Sequence, residues 1–314
     1  MENMRGEIEY PRLVAIETTS RCNARCDFCP NSALVRGKES MDSDLFEKIV
    51  EDCRAFPLAA IEPFLNGEPF MDPEIFPRME HIRRRLPDTS LRLYTNGYAM
   101  TPRKIDQLVG LGIDHLYVSL NTLNPEKYAA TVGLRLERTL SNLEYLTDPV
   151  RRARVARKIT FRITRLRDTP LEEQQRFVTY CRERGVRPFI VGLFNYKGDI
   201  YSDLPVPGYP CEHITRVDVL SNGTVTLCCM DQEGEYAWGD ARRDSVLDIF
   251  NGSEARRYRT EHRQGRRRSI EPCNACNLFW PSLESMPLLR KARFGLEVGM
   301  YFLRHRPVGM RRPG

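Results

Sequence analysis

The sequence predicts an α/β fold, a partial barrel of six parallel strands, each followed by a helix, with a small cysteine-rich extension. The first observation is the alternation of short apolar runs with amphipathic helical patterns over residues 13–193. The second is a change after residue 204, where a Pro- and Gly-rich linker leads into a group of cysteines. The third is the length of 314 residues, enough for one large domain and a small one.

Six short apolar runs are the expected strands, because each is bounded by turn residues and followed by a helical pattern. Helix start signals stand between them: Asp42 is a candidate N-cap, and Pro102 and Pro125 are candidate first-turn residues. The helix that starts at Pro125 is expected to run towards Leu146. Six units are too few for a closed eight-stranded barrel, so an open one is expected. The expected strands are residues 13–17, 59–65, 91–94, 115–120, 159–163 and 189–193.

Composition and charge exclude several classes of protein. The net charge of +6 is modest, and the basic runs are expected to be solvated faces. No aromatic residues are interleaved with them to stack single-stranded bases, so no nucleic acid partner is expected. No apolar run has the length of a membrane-spanning helix, and residues 1–10 do not resemble a signal sequence. We therefore expect a cytoplasmic protein with no membrane span.

The ten cysteines predict metal binding rather than a disulfide framework, because no secretion signal accompanies them. Cys53 and Cys181 fall within helical apolar patterns and are expected to be buried. Cys22, Cys26 and Cys29 follow the first strand, with three and then two residues between them, so they can converge on one side of a tight loop. Three thiolates suit an iron–sulfur cluster, which normally takes four protein ligands, and leave one iron open to another ligand. Tetrahedral zinc would need a fourth ligand nearby, and no His stands close to this loop.

This C-x3-C-x2-C loop, with Phe28 before the last cysteine, resembles the signature of the radical S-adenosylmethionine (SAM) superfamily. The resemblance implies a TIM-like partial (β/α)6 barrel, a [4Fe–4S] cluster on the three cysteines, and SAM bound to the open iron through its amino and carboxylate groups. One electron, from a donor such as flavodoxin or ferredoxin, would cleave SAM to a 5'-deoxyadenosyl radical that abstracts hydrogen from substrate. In similar proteins the aromatic residue lies near the adenine, so Phe28 is a candidate SAM contact. The alternative is a structural metal knuckle.

A second motif follows the second expected strand. Asn66-Gly67-Glu68-Pro69 resembles the Gly-Gly-Glu-Pro motif of the superfamily, with Asn in place of the first glycine. A glycine lets the backbone approach a ligand closely, and Glu68 can accept hydrogen bonds from an ammonium group. By the resemblance that group is the amino nitrogen of SAM, so Asn66, Gly67 and Glu68 are candidate SAM contacts. The alternative is an ordinary turn.

Three more strand ends carry candidate site residues. Thr95 and Asn96 begin a polar turn after the third strand, at a place where relatives have a similar turn. Ser119 and Asn121 end the fourth, where strand alternation would point both into the barrel, and similar proteins use a serine there near SAM. Arg162, at the end of the fifth, is a candidate contact for an anionic or hydroxylated substrate. Plain strand-end polarity is the alternative for all of them.

The extension also contains a group of cysteines. Two short strands around an Asn222-Gly223 turn are expected to form a β-hairpin that brings the first two of four cysteines together, and a helix is expected over residues 245–260. The arrangement resembles the auxiliary-cluster extension called SPASM, and more closely its shortened form, Twitch. The resemblance implies one auxiliary [4Fe–4S] cluster, and a zinc site is the alternative. Its four expected ligands are Cys211, Cys228, Cys273 and Cys276.

Cys229 directly follows Cys228, so in an extended strand its side chain would point to the opposite face. Three interpretations stay open. Cys229 is a mere neighbour, or a catalytic hydrogen-atom donor to a substrate radical, or the cluster ligand in place of Cys228.

The chain is thus divided into three parts. Residues 1–204 are expected to form the radical SAM partial barrel, and residues 205–286 the auxiliary cluster domain. Residues 287–314 are expected to form a helix and a basic tail, with the helix packing on the barrel or lying on an anionic surface.

The single auxiliary cluster resembles the layout of the amino-inositol dehydrogenase of butirosin biosynthesis, and more loosely that of aminoglycoside epimerases. This implies a radical SAM oxidoreductase that takes hydrogen from a small sugar-, aminoglycoside- or cyclitol-like metabolite. Dehydrogenation would pass an electron to the auxiliary cluster, whereas epimerisation would return hydrogen from a cysteine thiol. Neither a cobalamin domain nor a leader-peptide domain fits before Cys22. The alternatives are modification of a ribosomal peptide with a separate leader-binding partner, and a non-catalytic iron–sulfur or zinc scaffold.

Overall fold

The structure, a computed structural model, describes residues 8–166, 169–202, 204–278 and 296. Six parallel strands lie side by side in chain order, and this confirms the expected open barrel of β/α units. On the face of the sheet that meets the helices, the strands carry buried Leu, Ile and Val side chains, as expected where helices cover a parallel sheet. The strands are β1 (Leu13–Ile16), β2 (Ala60–Glu62), β3 (Ser90–Thr95), β4 (Ile113–Ser119), β5 (Ala156–Arg165) and β6 (Arg187–Gly192).

Helices follow these strands and bury one apolar face each. In the first helix, Asp42 is the N-cap, and its Oδ1 accepts a hydrogen bond from the backbone N of Leu45 at 3.2 Å. Cys53 and Cys181 are fully buried, as predicted. The helices are α1 (Ser43–Asp52), α2 (Ile75–Arg85), α3 (Pro102–Leu108), α4 (Pro125–Val132), α5 (Leu136–Thr147), α6 (Pro149–Val155) and α7 (Leu171–Glu183).

The prediction of one continuous helix from Pro125 to Leu146 is wrong, because α4 and α5 are separate. Gly133 ends α4 in a left-handed conformation, with φ of 74°. The break leaves the last carbonyl groups of α4 free to bind the cysteine loop. The backbone N of Arg25 donates to the oxygen of Val132 at 2.9 Å, and the N of Asp27 to that of Thr131 at 3.1 Å. The end of α4 therefore holds this loop in place.

The extension continues the barrel sheet instead of forming a layer of its own. The strand β7 (Val217–Val219) pairs in parallel with β1, and β8 (Thr224–Thr226) and β9 (Ala237–Asp240) add to it antiparallel. The hairpin around Asn222-Gly223 is confirmed. The helix expected over 245–260 is instead two, α8 (Val246–Phe250) and α9 (Ser253–Arg263). Because β7 pairs with β1, the extension lies beside the strand that carries the cysteine loop.

Some predictions concern parts of the chain that the structure leaves undescribed. The expected C-terminal helix and tail at 287–314 lie outside the described residues, apart from Leu296. The three domain boundaries stay predictions. In the described ranges, no helix has both the length and the apolar character needed to cross a membrane.

A buried ion pair fastens the loop after the cysteines to the extension. Arg36 Nη2 lies 2.6 Å from Glu17 Oε1, and the two side chains are 8% and 0% exposed. The other oxygen of Glu17 accepts a hydrogen bond from the backbone N of Ser221 at 2.8 Å. Arg36 Nε donates to the carbonyl oxygen of Gln232 at 2.6 Å. One guanidinium thus joins β1, the cysteine loop and the β7–β8 region.

We predict that Arg36→Met lowers the free energy of unfolding by about 3–5 kcal/mol, because it leaves the carboxylate of Glu17 buried without its partner. Urea denaturation of the metal-free protein measures this loss. The double variant Arg36→Met/Glu17→Gln should regain most of it, since no charge is then buried. A single variant as stable as the wild type, or a double variant no better than the single one, would contradict this role of the ion pair.

Candidate functional site

The cysteine loop lies at the carboxyl edge of the parallel sheet, and its three thiols are partly buried. Cys29 N donates to the carbonyl oxygen of Cys26 at 3.2 Å, which makes the loop tight. Asn96 Nδ2 lies 3.9 Å from Cys22 Sγ and 2.9 Å from Asn23 Oδ1, so the end of β3 also supports the loop. Burial raises the pKa of Cys22 to about 11 and also raises the pKa of Cys26 and Cys29. Three thiolates are therefore unfavourable here unless a metal group supplies compensating positive charge.

Gly67 is required by the approach of the protein's own backbone. A Cβ at this position would lie 2.1 Å from the carbonyl oxygen of Thr19 and 2.7 Å from that of Arg21. The next residue confirms the contact, because the backbone N of Glu68 donates to the oxygen of Arg21 at 2.9 Å. The motif after β2 therefore packs directly on the backbone that leads into the cysteine loop. The sequence had suggested approach to a ligand as the reason for this glycine.

Glu68 is the centre of a buried polar network. Its Oε1 accepts a hydrogen bond from Thr95 Oγ1 at 2.7 Å, and its Oε2 accepts one from the backbone N of Asn96 at 2.7 Å. Burial raises the pKa of this carboxyl to about 7. Three of the predicted SAM contacts thus lie together. Two other predicted SAM contacts are Phe28 and Asn66. Phe28 is half-buried, and Asn66 has a buried Nδ2 with no hydrogen-bond partner in the described chain.

Ser119 and Arg162 are neighbours, because the register pairs the last residue of β4 with Arg162 on β5. The prediction that Asn121 follows the same alternation is wrong: β4 ends at Ser119, and Asn121 has a left-handed backbone with φ of 63°. The guanidinium carbon of Arg162 lies 5.7 Å from the ring centroid of Tyr94 and 5.8 Å from that of Phe189. Its Nε is buried and makes no hydrogen bond to any described residue.

An aromatic wall lines one side of the barrel interior. The rings of Tyr94 and Tyr117 are stacked, with centroids 4.3 Å apart and planes 6° apart. Phe64 extends the stack on one side at 5.1 Å from Tyr94, and His115 extends it on the other at 3.8 Å from Tyr117. The sequence analysis missed these residues. Strand alternation could have found Tyr117, since it lies two residues before Ser119 on the same face.

An ionic wall lies on the side of β2 and β7. Arg216 Nη2 is 2.6 Å from Asp218 Oδ1 and 3.3 Å from Glu62 Oε2. Arg92 approaches the other oxygen of Glu62 at 3.9 Å. Burial raises the pKa of Asp218 to about 6, although Arg216 opposes the shift. No sequence motif marked these residues. The extension supplies Arg216 and Asp218 and the barrel supplies Glu62 and Arg92, so they are far apart in the sequence and meet only in the folded chain.

The four predicted auxiliary cysteines line one cavity together with Lys197 and Arg267. Burial raises the pKa of Cys211 to about 11 and that of Cys273 to about 12, and Arg267 opposes both shifts. Among residues 8–166, 169–202 and 204–278, no three His, Cys, Asp or Glu side chains stand close enough to share a single metal ion. A [4Fe–4S] cluster would take one thiolate on each iron, whereas tetrahedral zinc would take all four. The four are Cys211, Cys228, Cys273 and Cys276.

Cys228 and Cys229 do not alternate along a strand, because β8 ends at Thr226 and both lie in the turn that follows. That premise of the sequence analysis is wrong. Cys228 lines the auxiliary cavity, and both cysteines pack against the apolar cluster that contains Cys211 and Cys276. Cys229 packs in addition against a second cluster, formed by Ala15, Leu65 and Leu220. Cys229 Sγ lies 3.3 Å from His213 Nδ1.

Comparison with protein families gives two matches that cover most of this arrangement. Residues 16–205, more than half of the chain, match the family described as the radical SAM superfamily. The chain belongs to the radical SAM superfamily. Residues 211–277 match the iron–sulfur cluster-binding domain called SPASM. A radical SAM enzyme with a SPASM domain uses SAM and two [4Fe–4S] clusters, and the two groups of cysteines described above suit both clusters.

Curated relatives span several chemistries. The chain is 33% identical over 123 residues to the tungsten-containing aldehyde ferredoxin oxidoreductase cofactor-modifying protein of Pyrococcus furiosus, covering 39% of this chain and 34% of that one. It is 33% identical over 146 residues to the AdoMet-dependent heme synthase of Methanosarcina barkeri, covering 43% and 39%. The chain thus spans less than half the length of these two relatives. A probable GTP 3',8-cyclase of Methanothermobacter marburgensis is 27% identical over 247 residues, with 75% of each chain covered.

Solved structures confirm the fold. BtrN in complex with AdoMet and 2-DOIA matches with a TM-score of 0.67 at 19% identity, over 88% of this chain and 97% of that one. SuiB of Streptococcus suis bound to the precursor peptide SuiA also matches with a TM-score of 0.67, at 15% identity, over 86% and 70%. Because one is bound to 2-DOIA and the other to a precursor peptide, the shared fold does not fix the substrate of this chain.

We predict that Gly67→Ala destabilises the protein by about 1–3 kcal/mol or more, because backbone oxygens stand where the added methyl group would lie. Thermal unfolding of the metal-free protein measures the effect. Gly208→Ala is the matched control, since a Cβ there would meet only the Arg268 side chain, no closer than 3.4 Å. Equal melting temperatures for the two variants would show that the loop accommodates the added methyl group without loss of stability.

Proposed function

We propose that this chain is a radical SAM oxidoreductase that dehydrogenates or epimerises a small polar metabolite of the sugar, aminoglycoside or cyclitol type. The barrel interior carries this proposal. Its ionic wall, with Glu62 and Asp218 held by Arg216, offers acceptors and donors to several hydroxyl or amino groups. Its aromatic wall, with Tyr94 stacked on Tyr117, suits the apolar face of a saturated ring.

The cysteines divide between two clusters in this proposal. When bound, the SAM-binding cluster would supply the single electron for reductive cleavage of SAM, from which removal of a substrate hydrogen atom follows, and the auxiliary cluster would supply a one-electron acceptor. The three loop thiols hold the first cluster and leave one iron for SAM. The four thiols around the auxiliary cavity hold the second. The ligands are Cys22, Cys26 and Cys29 for the first cluster, and Cys211, Cys228, Cys273 and Cys276 for the second.

Glu68 and Asn66 are the proposed direct contacts to the polar end of SAM. Glu68 Oε2 has one internal donor, so it keeps room for a hydrogen bond from an ammonium group. Asn66 Nδ2 is a buried donor without a partner among the described residues, which suits a carboxylate. Thr95 and Asn96 make their hydrogen bonds to other residues of the protein. We therefore propose that they position Glu68 and the cysteine loop.

Four further contacts complete the proposed site. Phe28, half-buried in the cysteine loop, lies near the adenine, and Ser119 and Asn121 lie near the ribose or carboxylate. Arg162 faces the substrate: its guanidinium lies between two aromatic rings, and its Nε is a buried donor without a partner in the described ranges. A substrate hydroxyl or anionic group would satisfy that donor.

We expect the reconstituted protein, reduced anaerobically with dithionite, to release 5'-deoxyadenosine from SAM. A panel of deuterated sugars, aminoglycosides, cyclitols and peptides is then screened for transfer of label into 5'-deoxyadenosine. Changing Cys22, Cys26 and Cys29 together to Ala should abolish release while about four irons per chain remain. Cys53→Ala, at a buried cysteine that belongs to neither group of proposed ligands, is the control.

Three results would contradict the proposal. Cleavage retained in the triple variant would remove the cluster assignment, and no cleavage by the wild type would favour a scaffold. Label from a peptide instead of a polyol would favour peptide modification.

We predict that Cys229→Ala keeps SAM cleavage and, for an epimerase, blocks formation of the inverted product, because no thiol returns hydrogen to the substrate radical. Its packing against the apolar cluster of Ala15, Leu65 and Leu220 supports this donor role. Incorporation of deuterium from D2O into product measures the step, and Cys181→Ala is the control. Unchanged product in Cys229→Ala would exclude the donor role and favour dehydrogenation.

A further inference from the structure

Arg267 places a positive charge in the interior of the extension. Its side chain is among the largest that are fully buried in the described ranges, and the residue is 1% exposed. It begins a short 3₁₀ helix, Arg267–Ser269, which follows α9. A guanidinium group does not lose its proton in proteins, so this charge is permanent. Burying it costs free energy unless a partner of opposite charge lies beside it.

The hydrogen-bond partners of Arg267 are backbone carbonyl groups on the segments that carry the auxiliary cysteines. Nη2 donates to the oxygens of Cys276 at 2.8 Å and Leu278 at 3.1 Å. Nη1 donates to the oxygen of Tyr209 at 3.4 Å, just before the first of the four cysteines, and Nε donates to that of Cys273 at 3.5 Å. These acceptors hold the guanidinium between the two segments. They are neutral groups, so they do not balance its charge.

Other arginines that are buried in this protein have carboxylate partners. Three of them, with side chains at most 14% exposed, each lie within 3.1 Å of a carboxylate oxygen. Arg267 has no such partner in the part of the chain that the structure describes, where its acceptors are carbonyl groups. A negatively charged partner of another kind is therefore expected. The three pairs are Arg36–Glu17, Arg78–Asp72 and Arg216–Asp218.

The cavity that Arg267 lines is the one that the four auxiliary cysteines line. Lys197 is a second cation in its wall, but it is paired with Asp199 at 2.7 Å and with Glu235 at 3.0 Å. Asp231 is an anion in the wall, and its two oxygens accept hydrogen bonds from backbone N atoms at 2.9 and 3.1 Å. Within the described wall, Arg267 is thus the cation without a carboxylate partner, and it shares the cavity with four thiols.

We propose that Arg267 is the counter-ion of the auxiliary cluster and raises the reduction potential of that cluster. The inference rests on the proposed function, in which the four cysteines bind the cluster. A [4Fe–4S] group held by four thiolates has a net negative charge, and reduction adds one more. A fixed cation beside it stabilises the reduced state more than the oxidised state, and burial away from water strengthens this attraction. The cluster is then a better acceptor for one electron.

The test is a redox titration, followed by electron paramagnetic resonance, of the full chain in which the three loop cysteines are changed to Ala. The auxiliary cluster is then the one source of signal. Arg267→Gln removes the charge, and Arg267→Lys keeps it without the planar fork. We expect Arg267→Gln to lower the equilibrium constant for reduction at least tenfold, a shift of about 59 mV to more negative potential for one electron. Arg267→Lys should stay close to the unsubstituted arginine.

Arg268→Gln is the matched control. Arg268 is the next residue of the same 3₁₀ helix, but it is exposed, and its Nη2 donates to the carbonyl oxygen of Val206 at 3.2 Å. The substitution removes the same charge from a position where water and salt screen it. We expect an unchanged midpoint potential in this variant.

The outcomes separate this inference from the proposed function. If the protein without the loop cysteines holds no cluster, the assignment of the four auxiliary ligands fails. If the cluster is present and Arg267→Gln has an unchanged potential, or Arg267→Lys shifts as far as Arg267→Gln, the inference is wrong although the proposed function stands.

Loss of iron is also decisive. Iron lost from Arg267→Gln but kept by Arg267→Lys would show that the cluster needs the charge, as the inference requires. Iron lost from both variants would show that the hydrogen bonds to the carbonyl groups matter instead of the charge, and the inference would be wrong.

Discussion

The parallel pairing of β7 with β1 is the constraint on which the rest of this structure depends. It joins Val14 to Val217 and Ile16 to Val219, and so makes the extension part of the barrel sheet. The loop that leaves β1 carries the first three cysteines, and the hairpin that leaves β7 carries Cys228. Backbone hydrogen bonds between two buried strands thus fix the extension, with its cysteines, beside the strand that leads into the cysteine loop. Buried backbone groups must be paired, so this placement cannot drift.

Close backbone packing then fixes the position of the segment after β2. Gly67 lets the segment after β2 lie against the carbonyl group of Thr19, and Glu68 joins that segment to the end of β3. The carboxyl group is buried at a cost, which its raised pKa of about 7 reflects. A cationic ligand nearby would offset that cost, in the same way that iron would offset the cost of burying thiolates in the loop. Positive charge from a ligand would thus stabilise both buried groups of the site.

The fold was predictable from the sequence because its signals are local. Apolar runs, N-caps and Pro at helix starts are read within a few residues, and they identified all six barrel strands and the hairpin. The helix breaks at Gly133 and Gly252 were missed, because a single glycine does not end a helix by itself. At Gly133 the reason is tertiary: the end of α4 is needed as an acceptor for the amide groups of Arg25 and Asp27.

The site was predictable only where a motif marks it. The seven expected ligands stand in two groups as expected, because cysteine spacing is a local signal. Glu62 and Arg216 carry no such signal: neither lies in a motif, and they meet only because β1 pairs with β2 on one side and with β7 on the other.

The segment after the first three cysteines shows why this matters for function. Its chain neighbours belong to the barrel, but Glu233 of the turn after β8 accepts hydrogen bonds from the backbone N of Val35 at 2.8 Å and of Arg36 at 3.1 Å. Arg36 in turn donates through Nε to the carbonyl oxygen of Gln232 at 2.6 Å. A barrel without this extension would keep the three thiols, yet the segment that follows them would lose these partners. The extension therefore supports the cysteine loop as well as carrying a second group of cysteines.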